Sequence, residues 1–473
     1  MDDIGNRGRL LFASLPSAGL INPLLAIVQE LVRRDADLWF ACTDERADEI
    51  RRIGGGAGGA GPVRFVSLGR YRPHLWPANW DQATLRAMTT GRRVRDFAAF
   101  MDTNVDHEYT EELYRRMLAA IDEVRPDLIV ADSCTGWAID AAMQRGIPYV
   151  LTIAVPVSSF YVDLLPWGYP TPGSGLPARM SAVQRVDNVR YRLGVRAVMA
   201  SPRRLRPALA ALQRRKAEGL PNAAGIPSHY ARAAADVLGC SVFGLEYPFP
   251  AETPNLHMVG AVLPGDADDV TADPSLDAWL DAHPSIVYIG FGTFMRPSAG
   301  QVAALVEVAR RLGPRHHVLW KLDETRQRML PADLPANLRV EAWLPSQLAV
   351  LAHPNVRVFF NHGGGNAFHE GLAYGKPLLV MPFWMDCNDF AARAADSGAG
   401  LVVRNVDRPD VDDIVNKITR LATEPAYRQR AEHWAAELRA AGGSTAAADI
   451  VQRRLGLLGP AVGAASADRT MSS

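Results

Sequence analysis

The chain has 473 residues, 48% of them hydrophobic, and its 51 basic side chains are balanced by 51 acidic ones. This length exceeds one ordinary core and indicates two domains of roughly 200 residues each. A formal net charge of zero argues against a nucleic-acid-binding protein or one that docks on an anionic membrane, so the expected partner is a small molecule.

The four cysteines, Cys42, Cys134, Cys240 and Cys387, are widely spaced and form neither a CxxC pair nor a zinc-ligand pattern. This usage fits a reduced cytoplasm better than a disulfide framework. No apolar run reaches the roughly 18 residues of a membrane span, and no convincing signal segment follows the N-terminus. The sequence therefore predicts a cytoplasmic protein without a membrane span.

In the first half of the chain, short apolar runs alternate with longer amphipathic ones, which predicts a parallel sheet covered by helices on both faces. The stretch PSAGLINP, residues 16–23, is predicted to be a strand-to-helix turn with Leu20 at its tip, before a helix from Leu24. Residues 160–230 are helical and aromatic in pattern, and could either line an apolar ligand cleft or form plain packing. The predicted strands are Arg9–Ser14, Leu38–Cys42, Val63–Leu68, Leu128–Asp132, Tyr149–Ile153 and Val237–Ser241.

Residues 251–275 are rich in Pro, Asp and Gly, as interdomain linkers often are. The alternation then restarts, so we expect a first domain at 1–250, a second at 276–458 and a disordered tail at 459–473. The predicted fold class is α/β with two facing, doubly wound, Rossmann-like domains whose sheet edges meet at one cleft. The second set of predicted strands comprises Ile286–Thr293 with its glycine turn, His317–Leu322, Leu338–Ala342, Val356–Asn361 and Pro377–Met381.

The densest motif is NHGGGNAFHEGLAYGKPLLVMP, residues 361–382, in which an apolar strand runs into glycines and then a helix. Glycines permit close backbone approach, and the N–H groups of a helix N-terminus favour an anion such as a diphosphate. His362 could donate to a phosphate oxygen, and Glu370 could accept from a ribose hydroxyl. Gly292 and Thr293 form a second tight turn that could hold the same phosphates.

The block from Trp343 to Asp389 resembles the donor-binding signature of the family 1 nucleotide-sugar-dependent glycosyltransferases, which include UDP-glycosyltransferases and bacterial antibiotic glycosyltransferases. It contains WLPSQLAVLAHP, the motif above and FWMDCND, and weaker likenesses such as PSAGLINP, DLIVADSCTGWA and VYIGFGT run through most of the chain. The resemblance implies the two-domain GT-B architecture, no metal and no cofactor beyond a UDP- or dTDP-sugar co-substrate.

The resemblance also assigns roles in the donor site. It makes Trp343 the ring that stacks on the nucleobase, Gln347 its hydrogen-bonding neighbour and Glu370 the ribose ligand. The family usually has Trp-x-Pro-Gln, whereas this chain inserts Ser346, which would displace either Trp343 or Gln347. The diphosphate would be held by His362, Gly364, Gly365 and Asn366, with Gly292 and Thr293 opposite.

Asp386 matches the acidic residue that holds the hydroxyls of the sugar, but its usual Gln partner is Cys387 here. Because a thiol is a weak donor and acceptor, the sugar would lack a hydroxyl or bind in a different orientation. A deoxy sugar on dTDP and UDP-glucose are both compatible with this site.

In the family, the first domain binds the acceptor and a His in a GHxNP turn acts as the base; GLINP places Leu20 there. Asp132 matches the Asp that normally orients that His, although an acid at a strand end also caps helices. Three alternatives stay open: the acceptor is already nucleophilic, Asp132 is itself the base with a raised pKa, or His74 or His107 moves in.

The resemblance therefore implies an inverting glycosyltransferase that places a sugar on an apolar natural product, by direct displacement of the nucleotide. A sugar-nucleotide epimerase or phosphorolytic enzyme of the same shape, and a donor-binding auxiliary subunit, are the alternatives. An NAD dehydrogenase is disfavoured because no G-x-G-x-x-G follows the first strand. A second copy of the chain, in a homodimer, is a further candidate partner.

Overall fold

A computed structural model describes residues 8–55, 61–219, 227–250, 252–264 and 273–458. The predicted tail at 459–473 and part of the predicted linker lie outside these described residues.

The first half of the chain builds a seven-stranded parallel sheet in the order β3-β2-β1-β4-β5-β6-β7. All six strands predicted there are present, and a seventh, β7, lies within the segment predicted to be linker. The central strands β4 and β5 are buried along their whole length and are mostly apolar, as strands covered by helices on both faces are. The strands are β1 Arg9–Ala13, β2 Asp37–Cys42, β3 Arg64–Ser67, β4 Leu128–Asp132, β5 Tyr149–Ile153, β6 Asp236–Gly239 and β7 Leu256–Met258.

The second half builds a six-stranded parallel sheet in the order β10-β9-β8-β11-β12-β13. The five strands predicted for this domain are present, and β13 was not predicted. The strands are β8 Ile286–Gly290, β9 His317–Lys321, β10 Leu338–Glu341, β11 Val356–Asn361, β12 Leu378–Val380 and β13 Gly400–Val402.

Helices lie between most consecutive strands, whereas β6 and β7 follow each other without a helix between them. Those of the first half are α1 Ala18–Arg33, α2 Ala47–Arg52, α3 Gln82–Met88, α4 Arg93–Asn104, α5 His107–Val124, α6 Gly136–Arg145, α7 Ala182–Met199, α8 Pro202–Ala217 and α9 Pro227–Ala233. Those of the second half are α10 Pro274–Ala282, α11 Ala299–Leu312, α12 Glu324–Gln327, α13 Gln347–Ala352, α14 Gly365–Ala373, α15 Met385–Asp396, α16 Val411–Thr423, α17 Pro425–Ala440 and α18 Gly443–Leu458.

Apolar side chains fill both faces of each sheet, and the chain crosses between the two domains twice. Val242 and Leu245 join the core of the second sheet, whereas Ala448 and Val451 of α18 return to pack in the core of the first. The two domains are thus tied together at the hinge side.

The strand order 3-2-1-4 reverses direction between the first and fourth strands of each sheet, and ligands bind at such switch points. In the first sheet this point lies at the carboxyl ends of β1 and β4, and in the second at those of β8 and β11. The fold therefore presents Asp132 at one switch point and His362 at the other.

Candidate functional site

Asp132 is the last residue of β4 and is 1% exposed. It forms a hydrogen bond with the segment that connects β1 to α1. Its carboxylate accepts from the backbone N–H of Leu15 at 3.0 Å and of Cys134 at 2.7 Å. Burial raises the pKa of Asp132 to about 6, although these hydrogen bonds favour the ionised form. The structure thus places a carboxylate able to exchange a proton near neutral pH at the switch point.

Leu20 lies in the first turn of α1, half-exposed, and not at the tip of a loop; the predicted helix start at Leu24 was wrong. Ser17 is extended, and its carbonyl accepts from the N–H groups of Leu20 and Ile21 at 2.9 and 3.0 Å, which starts the helix. Pro23 lies inside the helix and has no backbone N–H, so it cannot donate to the carbonyl oxygen of Gly19. Because Gly19 is exposed, water can bind that carbonyl instead.

The two histidines considered as substitute bases lie at the start of α5 and beside it. His74 is exposed and lies 3.3 Å from the carboxylate of Asp106. His107 begins α5, and burial lowers its pKa. Neither histidine is among the hydrogen-bond partners of Asp132 in the described structure.

At the second switch point, the His362 ring is sandwiched between two glycine backbones. A Cβ on Gly292 would come within 2.7 Å of the ring and one on Gly364 within 2.5 Å, so both positions need glycine. Gly292 also has a φ of +70°, and Thr293 beside it is exposed. Burial lowers the pKa of His362 to about 4, against the opposing effect of a hydrogen bond with the backbone of Gly290.

The N-termini of α14 and α1 meet across the cleft between the domains. Asn366 Nδ2 donates to the carbonyl oxygen of Ala18 at 3.0 Å. Gly365 faces the carbonyl oxygen of Ala154, where a Cβ would come within 2.5 Å. Two helix N-termini bring partial positive charge and N–H donors to the same place, which favours an anion beside His362.

A polar chain lies beside the end of β9. Tyr288 Oη donates to Gln347 Oε1 at 2.8 Å, and Gln347 Nε2 donates to Glu370 Oε2 at 2.5 Å. Burial raises the pKa of Glu370, against the effects of Gln347 and of the positive charge of Lys321. Both ends of the Gln347 amide are therefore used within the protein.

The Trp343 ring is 70% exposed, and Lys321 Nζ lies 4.3 Å from its centroid. The extra Ser346 caps α13, because its hydroxyl accepts from the Ala349 N–H at 3.1 Å. The structure thus leaves Trp343 open to solvent and Gln347 turned toward Glu370.

Asp386 lies in the first turn of α15, half-buried, where burial and the nearby Asp389 raise its pKa to about 7. Burial raises the pKa of the Cys134 thiol in the first domain to about 12, and the charge of Asp386 adds to this shift. Cys387 is buried, with 2% of its surface exposed.

His369 is fully accounted for by contacts within the protein. Its two ring nitrogens form hydrogen bonds with the carbonyl of Gly365 at 2.8 Å and the hydroxyl of Ser241 at 2.9 Å.

Across the described ranges, no three His, Cys, Asp or Glu side chains are grouped so as to hold a metal ion. Among the described helices, none is both long and apolar enough to cross a bilayer.

Sequence reasoning missed two groups beside the site. Lys321 stands at the carboxyl end of β9, a position where parallel sheets place ligand contacts, so its place on a strand was an available signal. The second group is the ion pair of Arg393 with Glu246, 5% and 2% exposed, which joins α15 to the hinge. No local pattern reveals that pair, because its members are far apart in sequence.

A model of the family described as UDP-glucoronosyl and UDP-glucosyl transferase matches residues 92–435. The chain belongs to this family. The match covers Asp132 and every predicted donor-site position, whereas Leu20 lies before its start.

Relatives of this chain align with it over part of their length. It is 35% identical over 118 residues to erythritol-mannosyl-transferase 1 of Mycosarcoma maydis, covering 24% of this chain and 19% of the relative. It is 31% identical over 193 residues to UDP-glucuronosyltransferase 1-2 of Mus musculus, covering 40% and 34%. It is 28% identical to UDP-glycosyltransferase 1 of Phaeomoniella chlamydospora, covering 46% of each. The chain thus spans less than half of these relatives.

Solved structures match nearly the whole chain and confirm the predicted GT-B fold. The glycosyltransferase of kitacinnamycin superposes with a TM-score of 0.68 at 22% identity, covering 95% of this chain and 100% of that one. The calicheamicin glycosyltransferase CalG4 gives a TM-score of 0.66 at 20% identity, covering 96% and 100%. The glycosyltransferase VinC, solved with dTDP, gives 0.60 at 18% identity, covering 95% and 100%.

Proposed function

We propose that this protein is an inverting, metal-independent glycosyltransferase of the bacterial natural-product type. It moves a sugar from a UDP- or dTDP-activated donor to an apolar small molecule. The observation that carries the proposal is that the switch points of the two sheets lie close together: the Asn366 side chain, at the start of α14, donates to the carbonyl oxygen of Ala18, at the start of α1. A donor and an acceptor bound at these two edges would share one cleft.

In this proposal the diphosphate binds at the N-terminus of α14, where His362, Gly364, Gly365 and Asn366 present donors and Gly292 and Thr293 lie opposite. The position of the His362 ring, held between Gly292 and Gly364 beside the start of α14, supports this placement. Because its pKa is about 4, the imidazole is neutral and binds as a hydrogen-bond donor.

The nucleoside would lie against Trp343 and Glu370, and Asp386 would hold the sugar. The exposed Trp343 ring offers a stacking surface, and Lys321 beside it adds a positive charge that was not anticipated. The buried Cys387 thiol gives the sugar no strong partner, which is consistent with a deoxy sugar on dTDP or with a differently oriented UDP-glucose.

In the transfer step, an acceptor oxygen forms a bond to the anomeric carbon while the bond from that carbon to the diphosphate oxygen breaks. The proton of the acceptor passes to the Asp132 carboxylate, whose pKa of about 6 suits a base near neutral pH. The negative charge of the departing diphosphate is balanced by the helix N-termini and by donors around His362.

The test is turnover by the purified chain with UDP- and dTDP-sugars against phenol, amine and alcohol acceptors, read by nucleoside diphosphate release and product mass. Nucleotide release without acceptor would indicate an epimerase or hydrolytic enzyme instead. Donor binding without turnover on any acceptor would indicate an auxiliary subunit. A cytoplasmic location and a homodimer belong to the same proposal, and size-exclusion chromatography tests the latter.

Donor binding is tested separately by calorimetry with UDP and dTDP. A hydrogen bond to a charged group is worth about 1.5–3 kcal/mol, so His362→Ala should weaken nucleoside diphosphate binding about tenfold or more. The exposed His433, on α17, provides the control, and His433→Ala should bind as the wild type does. Equal affinity of His362→Ala and wild type would contradict the assigned diphosphate site.

A further inference from the structure

An open cleft of about 810 Å³ lies between α4 and α7 of the first domain, and arginines dominate its charge. Four arginines line it against one carboxylate, that of Asp187. The cleft lining thus has an excess of three positive charges, whereas the formal net charge of the whole chain is zero. The arginines are Arg92, Arg93, Arg95 and Arg190.

Three of these guanidinium groups lack a paired side chain among the described residues. Arg190 lies 3.4 Å from Asp187, whereas Arg92, Arg93 and Arg95 make no side-chain hydrogen bond or ion pair with any residue that the structure describes. Arg93 is half-buried, and burial lowers its pKa even though Asp389 and Asp96 attract its charge from a distance. A partly desolvated cation without a partner is unfavourable, and an anionic ligand would relieve that cost.

The rest of the wall suits an apolar ligand body. The apolar side chains of Val94 and Leu176 and the ring of Tyr191 line the same space. The planar guanidinium group binds carboxylate, sulfate and phosphate groups in a bidentate manner. Together the wall fits a molecule that has both an apolar body and an anionic group.

The cleft opens beside the helix that carries Asp386. Gly175 lines the cleft, and its N–H donates to the Asp389 carboxylate at 2.9 Å. Gly173 donates to the same carboxylate at 2.6 Å. Asp389 follows Asp386 by three residues, about one turn of α15. A ligand in the cleft would therefore lie next to the proposed sugar site.

We propose that this cleft binds an organic anion with an apolar body, whose acidic group contacts Arg93, Arg92 and Arg95. We further propose that this anion is the acceptor, a role that rests on the function proposed above. The anionic group anchors the molecule, and a separate hydroxyl group receives the sugar.

The test compares two probes of the same shape, 6-hydroxy-2-naphthoate and its neutral methyl ester, by calorimetry with the full chain. We expect the acid to bind at least tenfold more tightly than the ester. Arg93→Gln should abolish the preference for the acid and leave the affinity for the ester unchanged. Arg95→Glu should also abolish the preference, and because Arg95 is exposed this variant does not disturb buried packing. Arg328→Gln, at an exposed arginine on the second domain, is the matched control and should keep the preference.

Equal affinity for acid and ester in the wild type would overturn the proposal, as would an unchanged preference in both Arg93→Gln and Arg95→Glu. A preference lost equally in Arg328→Gln would show a general charge effect and would also overturn it. UDP binding and sugar transfer are measured in parallel. If the acid binds through Arg93 and receives no sugar while other acceptors do, the acceptor role fails and the anion site stands. If no acceptor at all receives sugar, the transferase function fails.

Discussion

Replacing Asp132 by Asn separates two roles for this carboxylate, because Asn keeps the size of the side chain and cannot take a proton. Loss of a positioned base costs about 10²- to 10⁴-fold in rate, or about 3 to 5.5 kcal/mol of barrier. If Asp132 accepts the proton of the acceptor, kcat/KM of Asp132→Asn should fall by that factor. Nucleoside diphosphate affinity should stay unchanged, because the proposed donor site lies in the second domain and does not include Asp132.

The pH dependence follows from burial, which raises the pKa of Asp132 to about 6. A base works only when ionised, so kcat/KM should rise with pH through about 6 and level off above about 7. At pH 5 the wild type should keep about one tenth of its maximal kcat/KM, whereas a carboxylate with the ordinary Asp pKa of about 3.9 would keep more than about nine tenths.

The assay measures initial rates of nucleoside diphosphate release at low acceptor concentration between about pH 4.5 and 8.5. Asp127 provides a matched control, since it lies just before the start of β4 and accepts from the Arg9 N–H at 2.6 Å, at the opposite edge of the sheet. Asp127→Asn should keep both the rate and the rise near pH 6. A rate of Asp132→Asn within threefold of the wild type would refute the assignment of Asp132 as the base.

Leu20→His distinguishes the remaining alternatives. We expect it to raise activity toward simple alcohol acceptors, because a His there would restore the arrangement that the family resemblance implies. If Leu20→His changes nothing while Asp132→Asn abolishes turnover, the carboxylate is the base itself. If Asp132→Asn is also harmless, the acceptor needs no base at this turn.

Two further predictions concern the contact between the domains. Gly365→Ala places a Cβ about 2.5 Å from the Ala154 carbonyl oxygen, so the domains must separate and turnover should fall; Gly300→Ala, in open space in the first turn of α11, should not reduce it. Arg393→Ala leaves the buried Glu246 carboxylate without its cation and should lower the free energy of unfolding by about 3–5 kcal/mol, measured by urea denaturation. An unchanged urea midpoint would contradict the second prediction, and equal turnover of the two glycine variants would contradict the first.

The sequence predicts most strands because buried parallel strands are continuous apolar runs, such as Leu128–Asp132 and Val356–Asn361. It fails at the sheet edges for a physical reason. The β7 strand, Leu256–Met258, has three residues of intermediate exposure, and β13, Gly400–Val402, contains a glycine and only two apolar residues. Neither is long enough to show a period, and only pairing with a neighbouring strand defines them.

Contacts across the cleft could not be predicted, because they depend on how two separately folded sheets face each other. Arg296 donates to the carbonyl oxygens of Trp80 at 2.8 Å and of Pro77 at 3.1 Å, although more than two hundred residues separate them. Trp80 also packs edge-on against Trp384, with ring centroids 5.6 Å apart. The motifs predict which edge of each sheet carries the chemistry, and the side chains that fix the distance between these edges come from elsewhere.

Asp132 has a structural role that does not depend on a neighbouring histidine. Its oxygens accept from the N–H groups of Leu15 and Cys134, and so tie the segment that enters α1 to the end of β4. A buried N–H that loses its acceptor costs about 1–3 kcal/mol, so Asp132 would stabilise this turn even with Leu20 in the helix that follows. The presence of Asp132 therefore does not by itself indicate catalysis. An anchor requires only oxygen acceptors, one of which Asn retains, whereas a base requires an ionised carboxylate. A folded Asp132→Asn variant without turnover is thus the result that would assign the base.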